Sequence, residues 1–219
     1  MPRSNGRPSE PVVSPVYTIG HSSHPLAHFL NLLAAHEITA LADVRSVPYS
    51  KFNAQFNRDA LPPLLKERGI KYVFLGEELG ARSQDPTVYK NGVVQYRLLA
   101  KTELFRSGIQ RVMRGRLQYR IALMCAEKDP IDCHRAILVA RELEAEGVPV
   151  EHIHRDGRLE SHSHAIDRLI DRLDFSEGLL VSGDLLIAEA YRLQEARIAY
   201  SGLAGHGPRR RGAPQPTRT

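Results

Sequence analysis

The sequence predicts an α/β fold: a single three-layer domain with a mainly parallel sheet, plus a helical C-terminal extension. Two observations carry this reading. Short apolar runs alternate along the chain with segments whose apolar residues recur at helical spacing. Several runs also end in glycine or in reactive polar side chains, as expected where ligands gather at the carboxyl ends of parallel strands.

"PVYTIG" (15–20) reads as a strand closed by glycine. Leu26, Phe29, Leu30 and Leu33 place a helix over 25–36. "ITALADV" (38–44) is a second strand, and a helix over 57–68 takes Asn57 as cap and Gly69 as stop. "IKYVFLG" (70–76) is a third strand, residues 80–92 a polar loop broken by Pro86, and 94–114 one or two helices. "YRIALMC" (119–125) is a fourth strand, followed by a helix from "CHRAILVARELEAEG" that Gly147 ends; "PVEHIHRDG" (149–157) gives a short fifth strand and a turn. "SHAIDRLIDRLDF" and "DLLIAEAYRLQEARIAYSGL" read as two further helices joined around 178–183. The organisation expected is a disordered leader over 1–14, a core over 15–158, a helical extension over 159–204 and a disordered basic tail over 205–219. No internal repeat is present.

A chain of 219 residues with 42% hydrophobic and 25% charged residues suits a globular domain. Its net charge of +5 owes much to Arg209, Arg210, Arg211 and Arg218 in the tail, so the basic balance is weak evidence for nucleic acid. No apolar run approaches the roughly 20 residues of a membrane span. With only 2 cysteines the chain is no disulfide scaffold, and a reduced, cytoplasmic setting is expected. Neither G-x-G-x-x-G nor G-x-x-x-x-G-K-[ST] occurs, and no arginine lies six residues after either cysteine. Dinucleotide, P-loop and cysteine-phosphatase readings therefore have no support.

The strand ends carry the chemistry. The first delivers His21 and Ser22; the second Asp43 and Arg45; the fourth Cys125 and Glu127, whose loop runs into Cys133, His134 and Arg135. Cys133 at a helix start would have its thiolate favoured and reads as nucleophile or redox thiol, or else as a small buried residue. His21, oriented by Asp43, or Glu127 would move the proton. Arg45, Arg135, His134, Ser22 and Cys125 would bind an anion; Asp43–Arg45 and Asp132–Arg135 ion pairs are the bland alternatives. Tyr49, Phe52 and Phe56, interleaved with Arg45, Lys51 and Arg58, suit either base stacking or a loop pinned to the core, the second being favoured. His152 and His154 share a strand face at the pocket edge or in solvent. A metal site from Cys125, Cys133, His134 and His21 would require the first and fourth strands to be neighbours. C-x7-C-H is no standard finger spacing, so a metal-poor protein is expected.

"YTIGHS", "LADVRSVPYSKFN", "LGEELGAR" and "LMCAEKDPIDCHR", in this order, resemble a widespread prokaryotic family catalogued as domain of unknown function 488. The resemblance covers about 15–158. It puts the family's motif residues on His21, Ser22, Asp43, Arg45, Pro48, Ser50, Cys125, Glu127, Cys133, His134 and Arg135, and it implies an α/β fold without naming a reaction. The function expected is an enzyme acting on a small, anionic, phosphate-containing substrate, with a nucleotide or nucleic-acid component. The alternatives are a non-catalytic ligand- or nucleic-acid-binding regulatory protein, with the basic tail as the nucleic-acid contact, or a Cys/His metal-binding protein. Cofactor and oligomeric state are left open, and no membrane partner is expected.

Overall fold

The computed structural model describes residues 14–175 and 183–202. The leader expected over 1–14 (save its last residue), the tail over 205–219 and the junction at 176–182 lie outside the described residues. The chain runs β1 (Val16–Gly20), α1 (Leu26–Ala35), β2 (Ala40–Asp43), α2 (Leu61–Lys66), β3 (Lys71–Phe74), α3 (Gly76–Leu79), β4 (Tyr89–Lys90) and β5 (Val93–Val94). It continues through α4 (Tyr96–Leu99), α5 (Glu103–Gly115), β6 (Ile121–Cys125), a π-helical stretch (Arg135–Ala140), α6 (Arg141–Ala145), β7 (Val150–Ile153), β8 (Leu159–Ser161), α7 (His162–Leu173) and α8 (Gly183–Ile198).

The main sheet has the order β3-β2-β6-β1-β7-β8. Its first five strands are parallel, and β8 closes the edge antiparallel to β7. Strand periodicity divides the interior into two layers. In β6, Leu123 and Cys125 face one core with Phe105 and Val139, while Ala122 and Met124 face the other with Phe29 and Phe56. Both faces are covered by helices, so the fold is the three-layer α/β arrangement read from the sequence. Among the described residues, no helix is long and apolar enough to cross a membrane.

Three segments differ from expectation for identifiable reasons. Pro62 and Pro63 lack backbone donors, so α2 starts at Leu61; Asn57 instead bonds the Ser50 N–H through Oδ1 at 2.7 Å. The helix after Cys133 opens with a π-helical stretch before α6. The expected loop over 80–92 holds β4, which pairs with β5 across Asn91 and Gly92, both at positive φ (51° and 77°).

The C-terminal helices are fastened by a buried polar chain. His152 accepts or donates to Thr18 Oγ1 at 2.7 Å and to His162 at 3.0 Å, and His162 reaches the Tyr191 hydroxyl on α8 at 2.8 Å. His152 therefore joins sheet to helices instead of lining a pocket, and His154 pairs with Glu160 at 2.8 Å.

Burial holds His162 well below its ordinary 6.5, at about 4, and moves His21 the same way, also to about 4. Between these values the unfolded chain takes up a proton that the folded one refuses, so stability is full above 6.5 and falls as pH drops towards 4. We expect His162 alone to contribute a loss of about 3 kcal/mol across that window. Urea midpoints measured along the window test this: His162→Gln should flatten the slope, and an unchanged slope would contradict it.

Candidate functional site

The register of β1 against β6 sets Gly20 opposite Cys125, and Asp43 of β2 lies opposite Met124, so these three strand ends are level. The loop after Cys125 is then held from several sides. Asp129 caps the short 3-10 turn Pro130–Asp132 and is gripped by Arg168 through two hydrogen bonds at 2.8 and 3.0 Å. Arg135, 1% exposed, donates to the carbonyl oxygens of Glu127 at 2.8 Å and Lys128 at 3.2 Å. A Cβ on Gly20 would collide with that Glu127 carbonyl and crowd Arg135, which is why the strand must end in glycine.

This loop brings two sulfurs, an imidazole and a carboxylate together. Cys125 Sγ and Cys133 Sγ lie within hydrogen-bonding distance of Glu127 Oε2, at 3.0 and 2.9 Å, and His134 Nδ1 lies 3.6 and 3.9 Å from the same sulfurs. His134 Nε2 donates to the Val44 carbonyl at 3.0 Å, which leaves Nδ1 turned towards the thiols. Both cysteines are buried and free.

Their environments drive the two thiols apart. Burial pushes Cys125 well above the ordinary thiol value, and its bond to Cys133 and the charges of Cys133 and Glu127 add to the rise. Burial opposes ionisation of Cys133 too, but the hydrogen bond from Cys125 and the positive Arg135 and His134 outweigh it and hold Cys133 well below. The Arg135 N–H also reaches Cys133 Sγ at 3.4 Å. Burial, followed by the Cys133 charge, raises Glu127; His134 is raised against its burial by its bond to Cys133 and that residue's charge. One sulfur thus holds the negative charge and the other keeps the proton.

The remaining expected residues form a second network. Asp43, fully buried, is bound by Arg45 through Nε at 2.8 Å and Nη2 at 2.6 Å and by the Tyr72 hydroxyl at 2.8 Å. Arg45 Nη1 meets His21 Nε2 at 3.1 Å, Nη2 also meets the Phe56 carbonyl at 2.7 Å, and His21 stacks on the Phe56 ring. The expected His21–Asp43 pair does not form, because Arg45 stands between them as the cation that a buried carboxylate requires. Arg45 spends its donors on protein groups, and Arg135 spends both terminal nitrogens on the carbonyl oxygens of Glu127 and Lys128. Asp132 pairs with Arg172, at 2.6 Å, and not with Arg135. Ser22 takes a left-handed φ of 47° and gives its N–H to the Ala126 carbonyl at 2.8 Å, a backbone role.

A cavity of about 200 Å³ opens onto the thiol cluster, lined by Arg45, Val47, Arg82, Cys125, Glu127, Cys133, His134 and Tyr200 among others. Sequence reasoning passed over Arg82, although "LGEELGAR" contains it: the guanidinium lies over the Tyr200 ring at 4.6 Å, and Tyr200 is far away in the chain. The aromatic loop is split. Phe56 is fully buried, whereas Tyr49 is 54% and Phe52 95% exposed. A larger cavity of about 1350 Å³ between α4, α5, α6 and α8 carries mixed charges but no thiol, so the smaller one is the candidate site.

Two outcomes follow. In reduced, chelator-treated protein, alkylation near neutral pH should label Cys133 ahead of Cys125, read by peptide mass; equal labelling seen only on unfolding would make both plain core residues. Gly20→Ala should lower stability by about 1–3 kcal/mol, the cost of overpacking a filled interior, in a thermal or urea melt.

No curated protein and no solved structure matches the chain. A family described as Domain of unknown function DUF488 matches it over residues 25–141, more than half of the 219. That span contains the whole cluster from Cys125 to Arg135 together with Asp43 and Arg45, and the chain belongs to the DUF488 family.

Proposed function

We propose that the protein is an enzyme acting on an anionic, phosphate-containing substrate with a nucleotide or nucleic-acid component, bound in the cleft at the carboxyl ends of β2 and β6. One observation carries the reading: two sulfurs, an imidazole and a carboxylate meet at a strand-end cavity, where an α/β sheet offers its ligand site. Cys133 is the electron-pair donor and Glu127, against both sulfurs, the proton acceptor.

Charge points to the substrate class. Arg45 is neutralised by Asp43, and Cys133 lies beside Arg135. Arg82 is exposed on the cleft wall, stacked on Tyr200, and is the cation placed to meet a phosphate. The cavity's roughly 200 Å³ is smaller than the ~300–1000 Å³ of sites that engulf a drug-sized ligand. It suits a phosphate group, with the rest of the substrate lying outward past Val47 towards the loop that carries the exposed Tyr49 and Phe52 rings.

Titration calorimetry with inorganic phosphate and a nucleoside monophosphate tests this. The nucleotide should bind more tightly, and Arg82→Ala should weaken both by about 1–3 kcal/mol, the worth of a charge-assisted hydrogen bond. Phe52→Ala should weaken only the nucleotide. Affinities unmoved by Arg82→Ala would remove the anion from the account.

A further inference from the structure

We infer that Cys125, Cys133 and His134 bind a thiophilic divalent cation of the zinc class at the floor of this cleft. Their ligand atoms lie within 4.8 Å of one another. With zinc–sulfur bonds of about 2.3 Å and zinc–nitrogen bonds of about 2.0 Å, a tetrahedral site separates sulfur from nitrogen by about 3.5 Å. The His134 Nδ1 to Cys125 and Cys133 separations are 3.6 and 3.9 Å, so the nitrogen–sulfur spacings need shifts of only a few tenths of an ångström to take an ion.

Three further features belong to a ligand set more than to a plain core. The His134 Nε2–H bond to the Val44 carbonyl fixes the ring and frees Nδ1, as outer-shell partners do for metal-bound histidines. Arg135 and a divalent ion together neutralise the two thiolates and the Glu127 carboxylate, so the buried charge closes. Three protein donors leave a fourth position in a site that lines an open cavity, the pattern of zinc sites that take a substrate or water. Binding replaces the thiol protons still present, which pass to solvent, so loading weakens as pH falls.

Of the four donors read from the sequence, Cys125, Cys133 and His134 come together through the loop that Arg135 holds, whereas His21 meets Arg45 instead, although β1 and β6 are neighbours. The inference concerns the same cluster as the proposed function but stands apart from the anion. With a metal, Cys133 is a ligand; without one, it is the free nucleophile.

The full chain, purified without a nickel column, should carry about one zinc equivalent by elemental analysis. After reduction and chelation it should bind cobalt(II) one to one, with a thiolate-to-cobalt charge-transfer band in the near ultraviolet. Cys125→Ser, Cys133→Ser and His134→Ala should each lower cobalt affinity by more than the roughly 10–100-fold that loss of an outer-shell partner costs, and His164→Gln, at an exposed site, should not. Wild-type protein that is metal-free as purified and shows no charge-transfer band with cobalt overturns the inference, whatever the variants do. Cobalt binding intact alongside anion affinity indifferent to Arg82→Ala would keep the metal and reject the substrate; the converse would keep the substrate and leave Cys133 as a nucleophile.

Discussion

The buried guanidinium of Arg135 is the contact on which the candidate site depends. It ties down two carbonyl oxygens of the loop between the cysteines, and its charge lies close enough to Cys133 to favour the thiolate. The loop's close approach to β1 leaves no room for a side chain at Gly20. A surface arginine could neither hold the loop nor change the sulfur in this way, because water would screen it. The Arg135 Nε has no hydrogen-bond partner among the described residues, a cost that the two carbonyl bonds and the nearby anion offset.

Two polar networks with different purposes flank this contact. Asp43, Arg45, His21 and Tyr72 form a closed set in which each group is satisfied by another. Such a set fixes the end of β2 and the loop towards Phe56, and removing Asp43 or Arg45 alone would strand the buried charge of the other at a cost of about 3–5 kcal/mol. The cysteine cluster is less complete. Its carboxylate is shared by two thiols, its imidazole is at long range from both, and it borders a cavity. Incomplete satisfaction beside open space is what a site that receives a ligand requires, whereas a closed network is what a scaffold requires.

Much of this was legible in the sequence. The five parallel strands follow from apolar runs whose faces are both buried, and the residues of the cluster were chosen by the rule that strand ends collect ligands. Strand order was not legible, because nothing local in "YTIG" or "IALMC" says that they pair. Asp43 was read as orienting His21, with the Asp43–Arg45 ion pair as the alternative, and burial decides for the ion pair. Arg82 escaped because its partner Tyr200 lies at the far end of the chain. The β4–β5 turn was readable, since Asn-Gly is the strongest short hairpin signal, and it was passed over within a stretch read as polar loop. β8 is a strand of three residues ahead of a strong helix, too short for periodicity to show.

The central claim is that Cys125, Cys133, Glu127 and His134 form one coupled unit tuned by Arg135. A thiolate titration of reduced, chelator-treated protein, followed by ultraviolet absorbance and compared with Arg135→Gln in protein shown to be folded, tests it most directly. The account predicts that the wild type releases one thiol proton well below the ordinary ~8.5 and the other well above it, and that Arg135→Gln moves the first upward. Two thiols titrating independently near the ordinary value, indifferent to Arg135, would contradict it.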